Sequence, residues 1–141
     1  MTNDIFDVVL GDIQVRRTAP SGKYLAMITE VKEANNPNNG NKGRELHLRL
    51  LEAQSGQDLT DVDLTNEQVR DTIWVTAKSQ TIARETIQRI APDTPENMSM
   101  REAFENLRGR NVVIHADLIT KNMKGEPLRF PRLQVKAYEA A

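Results

Sequence analysis

The chain has 141 residues and no cysteine, which excludes disulfide frameworks and thiolate metal sites. Its 19 basic and 20 acidic residues leave a net charge of −1, without the strongly basic balance that marks a nucleic-acid binder on charge alone. The length suits one domain able to bury its own core, and no apolar run approaches the roughly 18 residues that cross a membrane. Met1–Asp7 has neither the basic head nor the apolar stretch of a signal peptide, so a cytoplasmic protein without membrane contact is expected. The neutral total hides a segregated pattern. Residues 1–12 carry Asp4, Asp7, Asp12 and no base, and residues 52–71 carry Glu52, Asp58, Asp61, Asp63, Glu67 and Asp71 against Arg70 alone. Bases collect at 42–49 and 121–136.

Residues 1–19 read as an N-terminal arm, apolar at Ile5, Phe6, Val8, Val9 and Leu10, ahead of a single domain over residues 20–141. Lys23–Glu33 is a long strand with apolar side chains on both faces: Tyr24, Ala26 and Ile28 on one, Leu25, Met27 and Val31 on the other. Such a strand is covered twice or bends to serve two sheets, and small barrels use bent strands of this kind. Asn35–Gly43 is a loop by its Asn and Gly content and Pro37. The second strand, Arg44–Glu52, sets Leu46, Leu48 and Leu50 against Glu45, His47, Arg49 and Leu51. The acidic connection that follows is long for a hairpin and predicts a minor element of its own. In the third strand, Asp71–Ala77, Ile73, Val75 and Ala77 oppose Thr72, Trp74 and Thr76.

The period then becomes helical. Ser79 caps a helix with Ile82, Ala83, Thr86, Ile87 and Ile90 on one side, stopped by Ala91–Pro95. Ser99-Met100-Arg101-Glu102 is a capping-box pattern opening a second helix that runs through Ala103, Phe104 and Leu107 to Gly109. Asn111–Ile119 is the fourth strand; a turn over Lys121–Glu126 leads to the fifth, Leu128–Tyr138, with Leu133, Val135 and Ala137 on one face. Five strands with the helical excursion between the third and fourth give a mainly β fold with helices, the element order of a five-stranded OB-fold-like Greek-key barrel. An α+β sandwich of similar spacing is the rival.

Catalytic chemistry has little to work with, and no enzyme activity and no cofactor are expected. His47 and His115 both lie inside strands, and His115-Ala116-Asp117 is too little for a metal centre. The acids of 58–67 lack the spacing of a calcium loop, and Gly40-Asn41-Lys42-Gly43 has no following helix to present to a phosphate. Binding has more. Barrels of this type hold oligonucleotides on strands two and three, between the first–second and fourth–fifth loops. Here those loops carry Lys42 and Arg44, and Lys121, Lys124 and Arg129. With the leucines of strand two inward, His47 and Arg49 face out; with Ile73 and Val75 inward, Trp74 faces out. Strand five adds Phe130, Arg132 and Lys136. An exposed aromatic among cations suits single strands, whose bases stack and whose phosphates are neutralised. The opposing reading of Trp74 is a covered side chain, with the Ile5–Leu10 arm as cover.

Four segments carry a family resemblance: Pro20-Ser-Gly-Lys-Tyr-Leu-Ala-Met-Ile-Thr-Glu30; the Asn/Gly loop before Glu45-Leu-His-Leu-Arg-Leu-Leu51; Val69-Arg-Asp-Thr-Ile-Trp-Val-Thr76; and Leu107-Arg-Gly-Arg-Asn-Val-Val-Ile114. Over residues 20–138 the chain resembles a family of small phage-encoded single-stranded DNA-binding proteins with an OB-fold. The resemblance implies a replication or recombination accessory in a bacterial cytoplasm, with single-stranded DNA as ligand and replication or recombination proteins as partners. Homo-oligomerisation is left open. The chain ends Ala137-Tyr-Glu-Ala-Ala141, without the acidic tail by which many single-strand binders recruit enzymes. Two other readings stand beside this one: a virion or assembly component, and an adaptor or inhibitor that binds a host protein through its acidic 52–71 segment.

Overall fold

The computed structural model describes residues 4–12, apart from the Asp12 side chain, and residues 17–141. Of the expected arm, residues 1–3 and 13–16 lie outside the described residues. The remainder forms five strands, β1 (Gly22–Asn35), β2 (Lys42–Ala53), β3 (Gln68–Val75), β4 (Asn111–Lys121) and β5 (Pro127–Ala140), and two helices, α1 (Gln80–Ile90) and α2 (Met100–Glu105). All strand pairs are antiparallel, in one sheet of order β3-β2-β1-β4-β5. The protein is mainly β, as its sequence implies. The sheet curls until its two outer strands approach, and the Tyr138 hydroxyl on β5 donates to the Asp71 carboxylate on β3. No ladder joins these strands, so the sheet is not closed.

The two-faced apolar pattern of β1 is resolved by bulges. Ile28 pairs with Leu48 but Glu30 with His47, so Thr29 is an extra residue. A one-residue insertion reverses the alternation beyond it. Tyr24, Ala26 and Ile28 are buried, and after the bulge Val31 returns to the inner phase opposite Leu46. The same device acts in β5. Ala116 pairs with Val135 and His115 with Ala137, which leaves Lys136 extra. Leu133 and Tyr138 are therefore buried, while Ala137 shares the outer face with His115. This corrects the alternation that set Ala137 on one face with Leu133 and Val135.

Strand three begins earlier than its alternation suggests and ends at Val75. The Ser79 hydroxyl donates to the Trp74 carbonyl (2.8 Å) and accepts from Thr76 N–H (3.0 Å), which turns the chain and leaves Ala77 exposed outside the sheet. Ser79 is thus occupied by the turn and does not cap α1 through its side chain. Ser99 does cap α2, accepting from Glu102 N–H at 3.2 Å. The buried face of α1 is Ala83, Ile87 and Ile90; Ile82, assigned to that face by periodicity, is 64 % exposed. Ile87 and Ile90 of α1 and Phe104 of α2 pack into the core, joined by Leu107, which lies in the turn beyond α2 because the helix ends at Glu105 and not near Gly109 as its pattern suggests. Beyond α2, Gly109 (φ +81°) donates its N–H to the Ile28 carbonyl at 2.7 Å and ties the helical excursion to β1. The acidic connection contains the expected minor element, a 3₁₀ turn at Leu64–Asn66.

Candidate nucleic-acid interface

Residues paired across an antiparallel ladder share a face, so the pairs Gly43–Trp74, Glu45–Thr72, His47–Arg70 and Arg49–Gln68 define the outer surface of β2 and β3. Trp74 lies on it, 36 % exposed. The expected register therefore holds. The glycine opposite is required: a Cβ on Gly43 would run into the Ile73 carbonyl and touch the Trp74 ring at 3.0 Å.

The neighbours of Trp74 differ from those read in the sequence. Arg49 faces Gln68 at the far end of β3, and Arg132 pairs with Ile119 on the β4–β5 hairpin, so neither adjoins the indole. Trp74 instead borders a cleft of about 400 Å³ between β3 and β5, roofed by α1 through Ile82, Thr86 and Arg89 and walled by Lys136 and Tyr138. Arg89 has no place among the sequence-derived candidates. The i, i+4, i+7 spacing of Ile82, Thr86 and Arg89 was the available signal, one helical stripe beside the buried one. Lys136 reaches the cleft because it is the bulge residue of β5.

The remaining candidates fall into three places. His47 and Arg49 lie on the central outer face, joined there by Arg70. His47 is held between two carboxylates, Nε2 at 2.6 Å from Glu45 and Nδ1 at 3.5 Å from Glu30, and Glu30 also pairs with Lys32 at 3.2 Å. The Lys32 ammonium, through its hydrogen bond, holds the Glu30 carboxyl below its ordinary value. Glu45 is expected on this face from the alternation of β2; Glu30 is added by the β1–β2 pairing, so two acids flank the histidine counted among the binding candidates. Arg44 takes the inner phase, opposite Ile73 and Glu33, and opens toward α2 beside Arg101; Lys42 is exposed at the mouth of that groove. Lys121, Lys124, Arg129, Phe130 and Arg132 are all exposed on the β4–β5 hairpin, which extends past the start of β1. Its Arg129 guanidinium lies over the Phe130 ring, 5.5 Å from the centroid, and Phe130 is 76 % exposed.

Asp71 closes one end of the cleft. Burial raises its carboxyl above the ordinary value despite the opposing hydrogen bond from Tyr138, and burial pushes the Tyr138 phenol up. With Asp71 engaged by Tyr138, the exposed charged side chains lining the cleft are Arg89 and Lys136. An aromatic face beside two cations accommodates a stacked base with its phosphates. No protein-family model matches the sequence, and no curated protein matches it. The geometry alone speaks for the site.

Proposed function

We propose that this protein binds single-stranded DNA without sequence preference, on an OB-type open barrel, as an accessory of phage-type replication or recombination. The observation that carries this reading is Trp74, half-open on the outer face of β3 with Lys136 and Arg89 at the adjoining cleft. The exposed Phe130 and the cations of the β4–β5 hairpin supply a second aromatic and a path for the backbone. The curled five-stranded sheet with helices between the third and fourth strands suits a partly open barrel of the oligonucleotide-binding kind. Strand-neutral recognition follows from the chemistry: every base has a π-face, and phosphate contacts carry no sequence information.

The test is a fluorescence titration with oligo-dT at two salt concentrations, read through Trp74, the sole tryptophan. Quenching is expected, with log affinity falling against log salt by about 0.7 per neutralised phosphate. Absence of measurable binding at low salt rejects the proposal.

A further inference from the structure

The N-terminal arm and the Trp74 cleft are complementary in polarity and charge. In the arm, Ile5, Phe6, Val9 and Leu10 project into solvent, Phe6 at 92 % exposure. Asp4 caps the 3₁₀ turn Ile5–Asp7 by accepting from Phe6 N–H at 3.0 Å, and the turn buries no residue. Single exposed apolar side chains are ordinary, but a continuous run marks a contact surface. The arm carries Asp4 and Asp7 and no base through residue 12. The cleft presents the reverse, apolar Trp74, Ile82 and Val135 with the cations Arg89 and Lys136. The carboxyl in its lining, Asp71, is taken up by Tyr138. Among the described residues, β3 and β5 each end the sheet with an edge that pairs no strand, so the cleft between them is open to a second chain.

We infer that the Asp4–Leu10 segment of one copy docks in the Trp74 cleft of a second copy. Phe6 packs against Trp74 and Ile82, and Asp4 and Asp7 meet Arg89 and Lys136. The occupant is a second copy because the chain's own arm stays clear of the cleft: its apolar residues are exposed and so is Trp74. Reciprocal exchange of two arms closes a symmetric dimer.

Sedimentation velocity of the full chain without nucleic acid, from micromolar to near-millimolar concentration at low salt, tests this. The expected result is a concentration-dependent mass approaching twice that of the monomer. The Phe6→Ser/Leu10→Ser double variant should remain monomeric, with an unchanged melting temperature because both side chains are exposed. Asp4→Lys/Asp7→Lys and Arg89→Glu/Lys136→Glu should each be monomeric alone and should associate when mixed, since each then offers the other an arm and a cleft of opposite sign. Monomer at every concentration overturns the inference, as does association insensitive to the arm variants. Arm variants that shift Trp74 emission in a species sedimenting as monomer also overturn it, because the arm would then fill its own cleft. With no nucleic acid present, failure of single-strand binding and failure of arm exchange are read separately.

Discussion

Gly43 and Trp74 form a pair in which one residue's lack of a side chain fixes the other's pose. Gly43→Ala places a methyl against the Ile73 carbonyl and the indole, and main chain cannot yield as a flexible side chain can. We expect a stability loss of about 1–3 kcal/mol, the usual cost of overpacking, measured by urea unfolding, with a shift in Trp74 emission. Trp74→Ala separates binding from folding. Trp74 is part-exposed, so its removal should cost less than the roughly 3–5 kcal/mol of a fully buried tryptophan. It should weaken oligonucleotide binding by about 1–3 kcal/mol, some 5- to 150-fold. A large melting loss with unchanged affinity of the folded fraction would reject the stacking role. Asp71 gives a pH dependence. Its folded-state pKa is raised by burial, so the folded protein holds this proton more tightly than the unfolded chain does. That contribution is fully present below the ordinary Asp value of about 3.9 and is lost as pH rises through the folded value. Wild-type stability measured against Asp71→Asn should therefore decline across that window and level off above it. A difference that grows with pH would contradict the assignment.

At the scale of elements, the β4–β5 hairpin cations Lys121, Lys124 and Arg129 are exposed, and exposed charges contribute little to the fold. Replacing all three by Ala should leave the melting temperature nearly unchanged. The salt dependence of binding should flatten by up to about 0.7 for each phosphate no longer neutralised. A variant that unfolds would mean that the hairpin cations are structural. The strands themselves were legible because alternation is local. Leu46, Leu48 and Leu50 are buried as their spacing requires, and the capping pattern at Ser99 opens α2. Ser79 departs from its capping pattern because a hydroxyl that can cap a helix can equally close a turn. Here the Trp74 carbonyl and Thr76 N–H compete for it successfully.

On the scale of the whole molecule, the join between β3 and β5 is the weakest part of the sheet. It has the Tyr138–Asp71 hydrogen bond but no ladder. Tyr138→Phe removes the donor and leaves the half-buried Asp71 carboxyl without this partner, at a cost of about 1 kcal/mol. Hydrogen exchange should rise first in β3 and β5 and leave the β1–β2 ladder protected. Uniform exchange across the sheet would show that the join does not open by itself.

Sequence alone determined the strand and helix inventory, the inward leucines of β2, the outward phase of Trp74 and the segregation of charge, because these depend on residues close along the chain. Tertiary structure decided what pairing controls. The extra residues Thr29 and Lys136 reverse the alternation of β1 and β5 and bring Val31 inward and Tyr138 into the core. No local pattern shows a bulge, since the partner strand's register creates it. Curling then sets Arg89 of α1 and Lys136 of β5 beside the cleft of Trp74, while the β1–β2 register places Glu30 opposite His47. The sequence lists cations; the fold alone decides which of them share a surface with the aromatic, because β3 and β5, at opposite ends of the sheet order, become neighbours only when the sheet curls on itself.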